Sequence, residues 1–445
     1  MIVMKFGGTS LANADRIKNV VEIIKSRINK NPIVVVSAIS GVTDLLINTA
    51  KESVKGINPN EKAEEIINIH KSVINDLNLN DHFLIDDFTT LYDALNGVYL
   101  LKELSLRSID LISSFGEIFS SKIVAEYLNS QNISSRQYSG WDAGILTNDE
   151  FTNSEILDET YDLIKSKLKN FDKTPIVTGF IAKNKNGEIT TLGRGGSDYT
   201  ASIIGAALDV DEIEIWTDVD GIKTADPRIV ENAKQWEKVT FNEASEMAYF
   251  GAKVLHPKTI KPAINKKIPV KILNTYNVNN PGTIITEDDK DTCIFRAISS
   301  KRNITVVRIC STEMLYAYGF LAKMFEIFSK YKISVDIVST SEVTVSVTLD
   351  NINGTSKNFD YAISELKNIG KIEVLKEMAI ICITGKDIKN KPEILENIFR
   401  VLKNIDISTE IISQGVSPLS ISFVINQEDA DNAIRELHKE LFENE

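Results

Sequence analysis

Over residues 1 to about 290, short apolar runs alternate with longer segments whose apolar residues recur every three or four positions. The runs are Ile2–Phe6, Ile33–Ser37, Ile176–Phe180, Ile189–Leu192, Glu212–Thr217 and Val270–Leu273. Each is too short for a helix and is flanked by glycine or polar residues, so each predicts a strand. Ala14–Ile28 and Tyr199–Leu208 carry the helical period. Strands alternating with helices predict a mainly parallel sheet covered on both faces. From about Lys51 to Ile112 no strand-like run occurs, and that stretch reads as a helical insertion.

The polar segment Asn277–Asp291 leads into a second pattern, which repeats. A strand at Ile304–Ile309 precedes a helix with Phe320, Leu321, Met324, Phe325 and Phe328 on one face. The runs SVDIVST and TVSVTLD follow, the latter alternating Val345, Val347 and Leu349 with polar residues, then a helix and the strand KIEVLK. The order restarts at Ala379–Thr384, continues through a helix carrying Leu395, Ile398, Phe399 and Leu402, and closes on the helix Ala430–Leu441. Two successive βαββα units are ferredoxin-like. The second lacks its last strand, which a strand near 293–300 would supply. The expected domains are therefore 1–290, 293–378 and 379–445.

Charge narrows the partners. With 50 basic and 62 acidic residues the net charge is −12, which disfavours nucleic acid. No stretch is apolar for long enough to span a membrane, and the first residues are too short a run for a secretory signal, so a cytoplasmic protein is expected. Cys293, Cys310 and Cys382 are far apart and lie in apolar runs without nearby histidine, which predicts buried thiols and no metal site.

An acidic protein that handles small anions must gather its cations locally. The first strand ends in Lys5-Phe6-Gly7-Gly8-Thr9-Ser10, where paired glycines let backbone amides approach phosphate and Lys5 adds a point charge. Neither a Walker loop nor a GxGxxG turn is present. Thr191-Leu192-Gly193-Arg194-Gly195-Gly196-Ser197-Asp198 opens a helix, with Ser197 and Asp198 at cap-like positions and Arg194 able to grip a carboxylate or phosphate. Trp216–Arg228 is a strand end followed by a polar loop, where ligands of parallel sheets bind. Val34–Asp44 ends a strand in hydroxyls and glycine, and Glu117 is an acid in an apolar helical run that needs a partner.

These motifs, KFGGTS, SAISGVTD, GEIFSSK, TLGRGGSDYTA, WTDVDGIKTADPR and FGAKVLHP, resemble in content and order those of the aspartate kinases of the amino acid kinase family. The tandem C-terminal units look like that family's ACT domains, and the first is similar to lysine-sensitive members. The resemblance implies a three-layer αβα kinase fold followed by two ACT domains. It implies transfer of phosphate from ATP, carrying Mg²⁺, to the side chain of L-aspartate, the first step toward lysine, threonine and methionine. By position it implies catalytic roles for Lys5 and Asp198. Nucleotide contacts would be Gly7, Gly8, Thr217, Asp218, Lys223, Arg228 and Lys253. Aspartate contacts would be Ser37, Thr43, Glu117 (on the α-ammonium), Arg194 (on a carboxylate) and Ser197. Met314, Phe320, Leu321, Val335, Asp336, Ser341 and Glu342 would line an effector pocket, with L-lysine the expected ligand. A homodimer through the ACT domains, or a tetramer, is implied as well.

The implied chemistry needs no general base, since a carboxylate is already ionised at neutral pH. That suits a chain with four histidines, of which His70, His82 and His438 are expected on helix surfaces and His256 in a structural role. Two alternatives stay open: another carboxylate or phosphate kinase of the same fold, such as an acetylglutamate or uridylate kinase, and an amino-acid sensor with an inactive kinase domain.

Overall fold

A computed structural model describes residues 1–249, 257–288, 293–315, 318–350, 357–386, 388, 391–414 and 417–443. It forms two units: Met1–Ile222 with Trp236–Phe241 and Val254–Asp289, and Lys223–Gln235 with Asn242–Lys253 and Lys290–Glu445.

The first unit begins with β1 (Ile2–Phe6), α1 (Ala14–Arg27), β2 (Pro32–Val36) and four helices: α2 (Val42–Val54), α3 (Asn60–Asp76), α4 (Ile85–Leu101) and α5 (Leu106–Ser130). Then come β3 (Ser135–Tyr138), β4 (Leu146–Thr147), α6 (Glu159–Leu168), β5 (Thr174–Thr178), β6 (Ile181–Asn184), β7 (Ile189–Thr191), α7 (Gly196–Leu208), β8 (Glu212–Thr217) and β9 (Lys238–Thr240). The helix α8 (Phe241–Tyr249), which from Asn242 on belongs to the second unit, and α9 (Pro257–Lys266) precede β10 (Val270–Asn274) and β11 (Thr283–Thr286).

Eight strands make one sheet in the order β3-β5-β2-β1-β8-β10-β11-β9, parallel throughout except between β10 and β11. Ile2, Met4 and Phe6 of β1 and Val34 and Val36 of β2 pack into one core with α1 to α5. By the two-residue period of a strand, Val3 and Lys5 face the opposite layer, where α7 runs. That alternation gives Lys5 its place. The run Ile189–Leu192 does not join the main sheet. As β7 it pairs antiparallel with β6, and β4 completes a small three-stranded sheet.

His70 is a correction to the expected surface position: it is fully buried, with Nδ1 2.7 Å from the Ile66 carbonyl and its ring edge-on to Phe119. Ala63, Ile66, Ile67, Val73 and Ile74 form the buried stripe of α3, and residue 70 falls on it. Burial lowers its pKa to about 4 against the single backbone hydrogen bond that raises it.

The second unit holds a six-stranded antiparallel sheet built from β12 (Phe295–Cys310), β13 (Val335–Thr340), β14 (Thr344–Leu349), β15 (Lys371–Gly385), β16 (Ile411–Gln414) and β17 (Ser420–Asn426). Helices α10 (Phe320–Lys330), α11 (Lys357–Leu366), α12 (Pro392–Asn404) and α13 (Ala430–His438) cover it. Its order, β13-β14-β12-β15-β17-β16, reads as two ferredoxin-like halves sharing their two central strands. Runs expected as two separate strands, KIEVLK and Ala379–Thr384, are one strand, β15. Its C-terminal part pairs with Phe295–Lys301 and its N-terminal part with Ile304–Cys310, so each half borrows a strand from the other.

The loop 223–235 belongs to this unit. Ala225 and Val230 enter the core made by α12 and α13, the Ile298 amide bonds to the Thr224 carbonyl at 2.8 Å, and Thr224 Oγ1 lies 2.9 Å from His438 Nε2. His438 is thus also buried rather than on a surface, since Ile434 and Leu437 share its inward face.

Candidate active site

The carboxyl ends of β1 and β2, the N-terminus of α7 and the middle of α5 enclose a cleft of about 530 Å³ in the first unit. Of the residues singled out in the sequence, Lys5, Gly8, Ser37, Thr43, Glu117, Arg194, Ser197 and Asp198 line it. Cations and acids far apart in the chain therefore share one cavity.

Lys5 Nζ lies 2.7 Å from Asp198 Oδ1, both side chains largely buried. The contact is an ion pair, and no hydrogen bond to Oδ1 accompanies it among the described residues. Asp198 is not the helix cap that its position suggests. The N-cap of α7 is Gly195, with φ of 72° and no side-chain cap, and Ser197 and Asp198 already lie in the first turn. A carboxylate there gains from the helix dipole and is free to hold the lysine.

The turn after β1 is fixed at both ends. The Gly7 amide bonds to the Trp216 carbonyl at 3.2 Å and the Ser40 amide to the Gly8 carbonyl at 3.2 Å. Ser10 Oγ meets Thr275 Oγ1 at 2.6 Å, and Tyr276 donates its hydroxyl to the Thr9 carbonyl at 2.8 Å. A Cβ on Gly8 would stand 2.7 Å from the Ala38 carbonyl oxygen, so the turn packs here at glycine distance.

Glu117 reaches the cleft because α5 lies close against the end of β2. A Cβ on Gly116 would already touch that of Ala38 at 2.7 Å. Glu117 Oε1 accepts the Ala38 amide at 3.2 Å, while Oε2 has no partner among the described residues. Burial, only partly opposed by backbone hydrogen bonds, pushes its pKa up to about 8. A buried acid with an open oxygen in a cleft is a ready receptor for a ligand cation.

Sequence reading passed over Asp110, which sits two helical turns before Glu117 on the same face of α5 and also lines the cleft. Its spacing from Glu117 was the available signal.

Other expected contacts lie apart from the cleft's lining. Thr217 ends β8 and Asp218 follows it, with the Thr217 hydroxyl donating to Asp218 Oδ1 at 3.2 Å. Lys223 and Arg228 belong to the second unit. Lys223 bridges to Gln235, and exposed Arg228 forks onto Asp226 through Nε at 3.0 Å and Nη2 at 2.6 Å. Lys253, like the rest of residues 250–256, lies outside the described residues.

In the second unit Met314, Phe320 and Val335 pack on the core under α10, and Leu321 is exposed. Asp336 Oδ2 holds Lys301 Nζ at 2.7 Å, and Ser341 Oγ accepts the Thr344 amide at 3.1 Å. Glu342 is exposed. Val335 alone of the seven expected effector contacts lines the groove found here, beside Phe325, Phe328 and Lys332.

Comparison with known proteins supports what the cleft suggests. The model of the amino acid kinase family matches residues 1–274, and an ACT domain model matches 381–441. Aspartokinase 1, chloroplastic, of Arabidopsis thaliana is 41% identical across 99% of this chain and 80% of its own. Lysine-sensitive aspartokinase 3 of Escherichia coli strain K12 is 34% identical across 100% and 99%. The chain belongs to the aspartokinases. Its fold agrees: E. coli aspartokinase III solved with aspartate and ADP superposes with a TM-score of 0.87 at 32% identity, over 99% of this chain and all of that one. The same enzyme solved with lysine and aspartate gives 0.82 at 33% identity, over 99% of both chains. An amino acid kinase fold with C-terminal ACT domains is therefore the architecture of this aspartokinase. Among its described residues no helix is long and apolar enough to cross a membrane.

Proposed function

We propose that this chain transfers the γ-phosphoryl group of ATP to the side-chain carboxylate of L-aspartate, giving 4-phospho-L-aspartate, under allosteric control by L-lysine at the ACT domains. The observation that carries the reading is the common cleft of Lys5, Arg194, Asp198 and Glu117. Two anions must meet there, and unit charges 4 Å apart repel by about 4 kcal/mol at an effective dielectric near 20. Glu117 takes the α-ammonium, Arg194 a carboxylate, and Ser37, Thr43 and Ser197 the remaining polar atoms of aspartate. Gly7 and Gly8, lacking Cβ atoms, let the transferred phosphate come close to the backbone of this turn. Lys5, oriented by Asp198, neutralises charge that develops on it, which is where phosphoryl transfer is accelerated. Thr217, Asp218, Lys223, Arg228 and Lys253 complete the nucleotide contacts.

Among the described residues no cluster of His, Cys, Asp and Glu could hold a metal on its own. Mg²⁺ would arrive on the phosphate oxygens of ATP and supply further charge neutralisation. Met314, Phe320, Leu321, Val335, Asp336, Ser341 and Glu342 form the lysine site, with Asp336 and Glu342 for its ammonium groups. The domains run 1–290, 293–378 and 379–445, with the helical insertion at about 51–112. The sharing of β12 and β15 supports completion of the last domain by a strand near 293–300. The protein is cytoplasmic and a homodimer through its ACT domains, in a pathway toward lysine. A coupled ADP-release assay comparing aspartate with glutamate tests the reading: turnover with aspartate alone is expected, and none with either substrate would defeat it.

A further inference from the structure

We propose that Asp110 is a positioning residue: through three hydrogen bonds it fixes the loop that carries Arg194, and so sets where the guanidinium meets the carboxylate of aspartate. The proposal rests on the reading of Arg194 as a carboxylate contact.

Asp110 is fully buried, yet among the described residues no lysine or arginine pairs with it. Its Oδ2 accepts the amides of Thr152 at 2.8 Å and Thr191 at 3.1 Å, and its Oδ1 accepts the Thr191 hydroxyl at 2.7 Å. Burial raises its pKa and those three bonds oppose the rise. Burying a carboxylate without a counter-cation is costly, so the segments it joins are worth holding.

Both segments wall the cleft. Thr191 ends β7, three residues before Arg194, and its carbonyl is taken from the other side by the Ser154 amide at 2.8 Å. Gly193 next to it has φ of 73°, and a Cβ there would stand 2.6 Å from Asn153 Oδ1. The loop is thus pressed on the 152–154 turn. Thr152 is a β-branched residue at φ of 69°, a conformation that persists only when its surroundings enforce it. The Asp110 carboxylate supplies that constraint for Thr152 and the anchor for Thr191 at once.

Arg194 itself is exposed, and no hydrogen bond or ion pair to its guanidinium occurs among the described residues. Its side chain is therefore placed by its backbone, and the backbone hangs from Thr191. Loss of the anchor should disturb aspartate more than ATP.

The test is steady-state kinetics on the full-length enzyme with Asp110→Ala, Asp110→Asn, Arg194→Ala and the Asp110→Ala/Arg194→Ala pair. Asp110→Ala is expected to raise the KM for aspartate at least tenfold and leave that for ATP within twofold. Asp110→Asn should recover to within threefold, because its amide oxygen still accepts both backbone amides and its NH₂ donates to the Thr191 hydroxyl. In the Arg194→Ala background, Asp110→Ala should add less than twofold. Equal loss for both substrates, no rescue by asparagine, or additive effects in the double variant would overturn the proposal. If Arg194→Ala alone leaves the aspartate KM unchanged, the reading of Arg194 fails and this proposal with it; if Arg194→Ala weakens aspartate but Asp110→Ala does not, only this proposal fails. Should Asp110→Ala not fold, Thr191→Val decides, since it deletes one bond of the three. It is expected to raise the aspartate KM about threefold in the native background only, and no change there overturns the idea.

Discussion

Lys5 at the end of β1 and Asp198 in the first turn of α7 face each other at 2.7 Å across the cleft. The pair holds an ammonium in place by charge, and a lysine has three donors to offer a phosphate. That arrangement suits a group whose work comes when charge moves onto the transferred phosphate. Lys5→Ala is therefore expected to lower kcat by about 10²- to 10³-fold, the usual loss when a donor to developing charge is removed. The KM for ATP should change only about threefold. A rise in KM matching the fall in kcat would make Lys5 a binding residue only.

On the reading that Glu117 receives the α-ammonium of aspartate, its protonation makes aspartate binding depend on pH. Its folded pKa of about 8 lies above its ordinary 4.5, so between these values the folded protein holds a proton that the unfolded chain does not. The stability it contributes is full below pH 4.5 and is lost as pH rises through 8. An arriving ammonium favours the ionised form, so binding below pH 8 must expel that proton. The aspartate KM is expected to fall roughly tenfold per pH unit from about pH 6 to 8, with close to one proton released per aspartate bound at pH 7. Glu117→Gln should weaken binding and flatten the profile. Calorimetry in two buffers of different ionisation heat reads the proton directly, and zero release at pH 7 in the native enzyme would refute this account.

The two glycines after β1 should respond differently to the same methyl group. At Gly8 the added Cβ meets the Ala38 carbonyl oxygen at 2.7 Å and the Ser40 amide at 3.2 Å, both backbone atoms with little room to yield. Gly8→Ala is expected to cost about 1–3 kcal/mol, seen as a lower urea midpoint. At Gly7, φ is −74° and the nearest atoms, Lys5 Nζ and the Trp216 carbonyl oxygen, are 3.6 and 3.8 Å away. Gly7→Ala should leave the urea midpoint alone and raise the KM for ATP about tenfold, because its methyl stands beside Lys5 where phosphate must approach. Equal effects at both positions would show that the turn is only structural.

How much of this was legible beforehand depends on whether the signal was local. The strands Ile2–Phe6 and Glu212–Thr217 are bounded as their runs are, because each is buried along most of its length and stops at a glycine or an aspartate, Gly7 and Asp218. Lys5, Arg194 and Asp198 stood out because glycines lie beside or within two residues of each. Asp110 did not, since its partners Thr152 and Thr191 are remote in sequence and its neighbours are those of any amphipathic helix. The same holds for His438, whose contact with Thr224 no periodicity reveals. Loop 223–235 follows β8 after five residues, which suggested a place beside the nucleotide, yet Ala225 and Val230 are buried in the core under α12 and α13. Local pattern predicted the elements; partners chosen by tertiary packing stayed hidden.

One such hidden partner lies at the proposed effector site. Lys301 on β12 bridges Asp336 at 2.7 Å and Asp350 at 2.5 Å. Burial lowers the pKa of its ammonium, but the hydrogen bonds to the two carboxylates outweigh that and leave it raised. On the reading that Asp336 receives an ammonium of lysine, the effector must compete with a cation already built into the protein, which weakens binding. Lys301→Ala is then expected to lower the lysine concentration for half-inhibition by about tenfold, the size of a coupling near 1.4 kcal/mol. Asp336→Ala should raise it by at least as much. Initial rates over a lysine series decide between two roles for Lys301. A higher half-inhibition concentration in Lys301→Ala would mean that Lys301 holds Asp336 in place for the effector instead of competing with it.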